Sequence, residues 1–214
     1  MSRKIARGCI TLGGFLMIAA VILVLVNLRQ DEQGKKSSEQ ILSALRQEIH
    51  VQPSDPQTIP VPQPPSADLF AEYETEEHPV VTEPTVMYEG REYIGILSIP
   101  ALNLELPVLA EHSPENLKLA PCRYSGTAAQ GDLILAAHNY RSHFGTLSSL
   151  SSDDQIVFTD AAGEQYAYSV LQSETIDGYD VNGMHAGAEN SWNLTLFTCT
   201  LGGKSRVTVR AVHE

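Results

Sequence analysis

The sequence predicts an all-β domain, a barrel or a sandwich, joined through a proline-rich stalk to a membrane-spanning helix. Three observations support this reading. The segment Gly8–Leu28 carries no charge, and residues 53–84 hold eight of the twelve prolines. From residue 87 onward, short apolar or alternating runs are separated by Gly, Pro, Asn and Asp, which is typical of a domain built from short strands. The roughly 128 residues after that point are enough for one closed hydrophobic core.

The uncharged segment Gly8–Leu28 is long enough to cross a membrane as a helix. Its 21 residues span about 32 Å at 1.5 Å per residue, which matches the hydrocarbon core of a bilayer. Arg3, Lys4 and Arg7 precede the segment, so the positive-inside rule predicts that residues 1–7 are cytoplasmic and residues 29–214 lie outside the cell. A cleaved signal peptide is the alternative, but the bulky residues Val24–Leu28 differ from the small residues of a cleavage site.

The charge and cysteine content exclude several classes of protein. The chain has 14 Lys and Arg against 26 Asp and Glu, for a net charge of −12. An acidic surface of this kind argues against a nucleic acid as partner. It is typical of a solvated, soluble surface, although attraction for a basic substrate is an alternative. Three cysteines are too few for a disulfide framework or a zinc cage, and we expect no metal and no cofactor.

Residues 29–86 are predicted to form an extracellular helix followed by a stalk. Residues 37–51 place Ile41, Leu42, Leu45 and Ile49 on one helical stripe. The proline-rich stretch that follows favours an extended, semi-rigid spacer. An alternative is that part of it, around Asp68–Phe70, folds over the site as a lid. With the barrel limited to residues 87–214, a chain beginning near residue 80 is expected to fold and remain active.

The predicted domain contains seven candidate strands and two short helical segments. The helical segments are Pro114–Leu119 and Thr146–Leu150. The strands are Tyr93–Ile99, Leu104–Leu109, Leu133–Ala137, Gln155–Thr159, Gln165–Gln172, Asn193–Thr200 and Arg206–Val212.

The candidate chemistry lies at strand ends. The run Asn193–Cys199 alternates, so that Thr195, Phe197 and Cys199 share one face. His138 follows an apolar strand directly, and Arg206 begins the strand after the cysteine. Taken singly, each is as easily a buried thiol or a surface side chain, but the three together indicate a catalytic group.

These residues resemble the sortase family, the membrane-anchored cysteine transpeptidases of Gram-positive bacteria. Residues 195–199 match its TLxTC signature, residues 136–138 match the strand end with the histidine, and Arg206 matches the arginine on the following strand. Gly stands directly before the histidine more often in the family, where this chain has Ala137. The resemblance covers roughly residues 90–212 and implies a closed eight-stranded β-barrel.

The resemblance also implies the reaction and the partners. Surface proteins bearing an LPXTG-like signal near their C-termini would be cleaved through a thioacyl-enzyme. The acyl group would pass to an amine of a peptidoglycan precursor or of a pilin. Cys199 is expected to be the nucleophile, and His138 the general acid and base. Arg206 would stabilise the oxyanion or position the substrate. Thr195, Phe197 and Thr198 are expected to contact the substrate.

Several residues compete for these roles. Arg210 is a second candidate arginine, His143 a second candidate histidine, and Cys122 a second thiol. We expect all three to be dispensable for the chemistry. Four acidic residues flank the segment before the cysteine strand, a region where some sortases bind calcium, but their spacing is weak evidence for a metal site. They are Glu174, Asp177, Asp180 and Glu189.

Two other classes of function remain open from the residues alone. An L,D-transpeptidase acting on peptidoglycan also uses a histidine and a cysteine, although its cysteine follows a Ser-x-Gly turn, whereas Cys199 follows Thr198 on a strand. A non-catalytic, membrane-tethered β-barrel binding module would not depend on Cys199. Within the sortases, the single apolar segment favours a housekeeping-like or accessory anchoring type over a pilin-polymerising type.

Overall fold

The computed structural model describes residues 3–51, 83–187, 191–200 and 202–214. These residues form one α-helix and nine strands, with short 3₁₀ turns that include Asn116–Lys118 and Leu147–Ser149, where the sequence predicted short helices. The elements are α1 (Arg3–Val51), β1 (Val86–Tyr88), β2 (Arg91–Ile99), β3 (Leu104–Leu109), β4 (Cys122–Ser125), β5 (Leu133–Ala137), β6 (Gln155–Asp160), β7 (Gln165–Asp177), β8 (Leu194–Cys199) and β9 (Ser205–His213).

Eight of the strands close into a barrel. Their order is β2-β3-β4-β5-β8-β9-β7-β6, and β6 pairs back onto β2. Most neighbours are antiparallel, whereas β3–β4 and β5–β8 are parallel. Closure pairs the edges that an open sheet would leave exposed. The predicted eight-stranded β-barrel is therefore confirmed, and β1 is an additional short strand paired with the start of β2.

All seven predicted strands are present, and two further strands were not predicted. Strand β1 joins β2 through Glu89 and Gly90, both with positive φ, as a two-residue type I′ hairpin turn requires. Strand β4 has only four residues and a register shift between Arg123 and Ser125. Both elements are too short for a periodic apolar pattern to identify them.

The alternation of side chains divides β5 and β8 between the barrel interior and its outer face. Leu133 and Leu135 of β5 belong to the main interior core, together with Leu194 and Leu196 of β8. The intervening residues, among them Phe197, form a separate cluster outside the barrel wall. This parity decides which strand-end side chains can share a surface.

Helix α1 has two distinct halves. The large apolar side chains described between Leu12 and Leu28 are exposed, and a window of this helix has a mean hydropathy of 2.2, so α1 is apolar and long enough to span a membrane. The other half carries the predicted stripe Ile41, Leu42, Leu45 and Ile49, which packs on the barrel against Tyr93, Ile96, Leu109, Ala120 and Cys122.

The predicted amphipathic helix is thus confirmed, as the end of a longer helix that lies against the barrel. The domain limits of the sequence analysis stay a prediction, because packing does not by itself define where independent folding begins. Residues 52–82, with most of the proline-rich stretch and the candidate lid Asp68–Phe70, lie outside the described residues. The chain resumes at Glu83, whose carboxylate accepts a hydrogen bond from Arg123.

Candidate active site

Strand register brings together the three residues that the sequence selected. In the parallel pair β5–β8, Ala137 is the partner of Thr198, so His138 and Cys199 follow at adjacent strand ends. In the antiparallel pair β8–β9, Cys199 is the partner of Arg206. Paired residues on neighbouring strands project to the same side of a sheet. Cys199 and Arg206 therefore share the outer face of the barrel, with His138 at the neighbouring strand end.

The cysteine is accessible at the start of a tight connection. Cys199 is an exposed free thiol. The connection to β9 is stabilised by the Thr200 N–H, which donates to the Ser205 carbonyl at 3.0 Å, and by the Gly203 N–H, which donates to the Thr200 carbonyl at 2.8 Å. A thiol in this position can react with a substrate that approaches the outer face.

The guanidinium of Arg206 is held by its own hairpin. Its Nη1 donates to the carbonyl oxygens of Gly203 at 3.0 Å and Ser205 at 3.2 Å. A Cβ on Gly178 would lie 3.1 Å from this nitrogen and 2.8 Å from the Lys204 carbonyl oxygen, so glycine leaves the space that the arginine occupies. Among the described residues none accepts a hydrogen bond from the other donors of the planar fork, so these donors can bind an oxygen of a substrate.

His138 is half-buried and less basic than a free imidazole. Burial lowers the pKa of His138, and the positive charge of Lys118 lowers it further. Its ring lies 4.9 Å from the ring of Tyr140, centroid to centroid. The lowered pKa favours the neutral imidazole, which can accept a proton.

The three predicted substrate-contact residues lie beneath the surface. Thr195 is buried, and its Oγ1 accepts a hydrogen bond from the indole N–H of Trp192 at 2.9 Å. The Thr198 hydroxyl donates to the Ala137 carbonyl at 2.8 Å and so ties β8 to β5 next to the two strand ends. Phe197 is 8% exposed and lies in the outer apolar cluster. Their role in substrate binding stays a prediction.

The outer apolar cluster is a feature that sequence reasoning did not identify. Its buried members are Ile134, Ala136, Met184 and Phe197, and the partly buried Leu117, Ile176 and Ala186 pack against it. The ring of Tyr124 meets that of Phe197 edge to face, with centroids 5.3 Å apart. The parity of β5 and β8 could have identified Ile134 and Ala136. Met184 could not be found in this way, because it comes from the segment between β7 and β8.

The competing residues have structural surroundings of their own. Arg210 is paired with Thr195, four residues from Cys199 along β8, and forms an ion pair with Glu174. Cys122 is buried in the cluster under α1, and burial raises the pKa of its thiol to about 12. A thiol in such a place is unreactive.

The acidic residues near the β7–β8 segment are engaged locally. Asp177 Oδ1 accepts from the Tyr179 N–H at 2.9 Å, and Asp180 Oδ1 accepts from the Gly183 N–H at 3.0 Å. Glu189 lies outside the described residues. Within the part of the chain that the structure describes, no three His, Cys, Asp or Glu residues are grouped to hold a metal ion.

The fold and the strand ends together define a class of protein: closed β-barrels that present a free thiol beside a strand-end histidine on the outer wall. The model of the sortase domain family matches residues 97–214, more than half of the chain. The chain belongs to the sortase family.

Individual relatives agree with this assignment. Sortase A of Bacillus anthracis is 32% identical over 117 residues, which are 52% of this chain and 54% of that protein. The match thus spans about half the length of this curated relative. Sortase C1 of Streptococcus agalactiae is 28% identical with a TM-score of 0.50, over 56% of this chain and 66% of that one. A lid mutant of sortase A from Corynebacterium diphtheriae has the same fold at 22% identity, with a TM-score of 0.51 over 58% of this chain and 71% of that one.

Proposed function

We propose that this protein is a membrane-anchored cysteine transpeptidase that cleaves an LPXTG-like signal in surface proteins and transfers the acyl group to an amine. The observation that carries the proposal is the strand register, which aligns Cys199 with Arg206 and sets His138 at the neighbouring strand end. Family membership supports the same reaction class. The fold alone would not, because one fold can support unrelated chemistries.

The first half of the reaction uses the thiol and the imidazole together. The Cys199 sulfur attacks the scissile carbonyl carbon as its proton passes to the neutral His138, and the carbonyl electron pair moves onto the oxygen. Arg206 stabilises that oxyanion or holds an adjacent substrate carbonyl. The intermediate then collapses, the C–N bond breaks, and the amine leaves with the proton from His138. A thioacyl-enzyme remains.

The second half reverses these roles. An incoming amine attacks the thioacyl carbon and gives a proton to His138, and the C–S bond breaks to release the thiolate of Cys199. The acceptor is an amine of a peptidoglycan precursor or of a pilin. Release to an amine rather than to water makes the reaction a transfer.

The outer apolar cluster supports an aliphatic side chain in the substrate. Phe197 lies two residues before the thiol on the same face of β8, and Ile134 and Ala136 occupy the same face of β5. The partly buried Leu117, Ile176 and Ala186 at the margin of this cluster can contact a leucine-like side chain, whose full burial contributes roughly 1.5–3 kcal/mol. Thr195 and Thr198 fix the strands that carry this surface.

The proposed location places the catalytic barrel outside the cell. The apolar half of α1 spans the membrane, Arg3, Lys4 and Arg7 remain in the cytoplasm, and residues 29–214 lie outside. The net negative charge of the outer part keeps it soluble near the cell wall.

The catalytic assignment is tested with a fluorogenic LPXTG-type peptide and an amine acceptor. Cys199→Ala removes the nucleophile, so turnover and the thioacyl adduct, followed by mass spectrometry, should both be absent. His138→Ala should lower kcat/KM by about 10²–10⁴-fold, the usual contribution of an acid–base group. Arg206→Lys keeps the charge but loses the planar fork, so a large loss is expected here too.

The matched control is the second thiol. Cys122→Ala leaves Cys199 in place and should retain transfer activity and alkylation of the Cys199 thiol. Cleavage by Cys199→Ala, or a folded Cys122→Ala protein without activity, would contradict the assignment. A protein that binds the peptide without cleaving it would indicate a binding module.

A further inference from the structure

The loop that follows His138 is bound to the helix that carries the membrane segment. The Ser142 N–H donates to Asp31 Oδ1 at 2.9 Å. The Ser142 hydroxyl lies 2.7 Å from the same oxygen and 3.2 Å from the Asp31 carbonyl, so its proton is donated to one of them. Asp31 thus fixes the tip of this loop, residues 139–144, from a position 111 residues earlier in the chain.

Gly34, one turn further along α1, faces the same loop at close range. A Cβ at this position would lie 3.3 Å from His143 Nε2, which is tighter than an ordinary contact, and 3.6 Å from Ser142 Oγ, which is an ordinary one. Glycine inside a helix costs about 0.5–1 kcal/mol relative to alanine, so its presence calls for a reason. The close approach of the loop provides that reason.

The loop held by Asp31 is connected to His138 by short contacts. The Phe144 N–H donates to the His138 carbonyl at 3.3 Å, and the His143 N–H donates to the Tyr140 carbonyl at 3.0 Å. The Tyr140 ring lies between the two histidines, with centroids 4.9 Å from His138 and 5.4 Å from His143. A shift of the loop tip would therefore reach His138 through both backbone and ring contacts.

The same helix holds the other segment that flanks His138. The Ser38 hydroxyl donates to the Leu119 carbonyl at 2.9 Å. The neighbouring Lys118 is close enough for its charge to lower the pKa of His138. Residues 31–38 of α1 therefore contact both the histidine loop and the segment that carries Lys118.

We infer that Asp31 is a positioning residue for His138: Asp31, with Gly34 packed close to the same loop, holds the histidine loop in its working position. The inference rests on the proposed function, in which His138 transfers protons. It predicts that the contacts of Asp31 and Gly34 with the histidine loop affect the rate of turnover.

The contact between Asp31 and the histidine loop affects proton transfer and leaves the proposed peptide-binding surface unchanged. The buried members of the apolar cluster around Phe197 come from β5, β8 and the β7–β8 segment, and among the described residues none that packs in it belongs to α1. A displaced His138 should therefore slow the chemical steps while KM stays nearly constant. General acid–base catalysis needs hydrogen-bond reach, and small displacements are costly.

The test compares Asp31→Ala with Asp31→Asn in the full-length protein, held in detergent or nanodiscs. Alanine removes the acceptor, and kcat should fall by about tenfold or more with KM within about twofold of wild type. Asparagine keeps an acceptor oxygen, so kcat should stay within about threefold. Glu32→Ala is the matched control, because Glu32 is an exposed acid on the same turn that pairs with Lys36, and it should behave as wild type.

Two further variants keep the inference testable if Asp31→Ala folds poorly. Gly34→Leu favours the helix by propensity but must push the loop away, so it too should lower kcat. Ser142→Ala combined with Asp31→Ala should cost no more than Asp31→Ala alone, since both belong to one contact. Additive losses, equal kcat in Asp31→Ala and wild type, or an equal loss in Glu32→Ala would overturn the inference.

Cys199→Ala, measured in the same series, separates this inference from the proposed function. If Cys199→Ala is inactive while Asp31→Ala and Gly34→Leu turn over like wild type, only the positioning role of Asp31 is wrong. If Cys199→Ala is active, the proposed function itself fails.

Discussion

At the scale of single residues, the buried imidazole of His143 links stability to pH. His143 has no exposed surface, and within the described residues neither ring nitrogen has a hydrogen-bond partner. Burial and the nearby charge of His138 lower the pKa of His143 to about 4, against the opposing effect of the Asp31 carboxylate. The folded protein therefore binds a proton at this site less readily than the unfolded chain does.

This lowered pKa predicts a loss of stability in acid. Stability from this site is complete above the unfolded pKa of about 6.5, and falls as the pH decreases from there towards 4. The full effect is about 3 kcal/mol in the free energy of unfolding. His143→Phe removes the titrating group, so the variant should lose less stability than wild type between pH 7 and pH 4.5 in urea unfolding. Equal losses in the two proteins would show that His143 does not contribute.

At the scale of elements, the β7–β8 segment is held over the sheet by Arg210. Its guanidinium donates to the Gly183 carbonyl from Nη2 at 2.8 Å and from Nε at 3.2 Å, and it stacks 4.5 Å from the centroid of Trp192. Glu174 of β7 supplies the counter-charge. These contacts keep Met184, the residue after Gly183, against the apolar cluster of Phe197.

Arg210→Lys is therefore expected to affect substrate binding rather than the chemical steps. Lysine keeps the charge but cannot donate a planar fork or stack on the indole in the same way. KM for the sorting peptide should rise several-fold, and amides of residues 179–187 should exchange faster in hydrogen-exchange measurements. The rate at which iodoacetamide alkylates Cys199 should stay close to wild type. Arg46→Lys is the control, because Arg46 makes an exposed ion pair with Glu105 that contributes little.

The sequence could predict those strands and helices that are determined by their own local pattern of apolar and turn residues. Strands β3 and β5 occupy the predicted residues, because continuous or alternating apolar runs bounded by turn residues are local signals. The register of β5, β8 and β9 depends on closure of the whole barrel, so the sequence could only imply it through family resemblance. The contribution of Met184 to the apolar cluster depends on Arg210 and is a tertiary effect.

The continuity of α1 is another feature that the sequence did not predict. Residues 29–38 are mostly polar and include Gly34, which reads as a break between two helices. The helix runs through this segment with Glu32 and Lys36 paired at 3.0 Å and Lys35 and Glu39 at 3.8 Å, both four residues apart. Such pairs support an exposed helix by a few tenths of a kcal/mol each. The contacts of α1 with the barrel provide the remaining stability of the helix.

At the scale of the whole molecule, the second half of α1 covers an apolar patch on the barrel. A chain beginning at residue 29 retains this cover, whereas one beginning near residue 80 exposes the patch, including Tyr93, Ile96 and Leu109. Burial of four aliphatic side chains of α1 contributes several kcal/mol. We therefore expect the shorter chain to melt at least about 10 °C lower and to lose activity. Thermal melts and peptide cleavage of the two chains side by side would check this; equal values would support the limits that the sequence suggested.

An uninterrupted helix also fixes the distance between the membrane segment and the histidine loop. Asp31 is three residues beyond Leu28, which is about 5 Å along the helix axis. With the apolar run in a bilayer, the histidine loop stands at the level of the lipid headgroups. A reactant that diffuses freely through the cell wall meets such a site seldom, whereas one retained in the same membrane shares a thin layer with it at high local concentration. In the proposed location, the anchor would thereby select reactants by where they reside as well as by their chemistry.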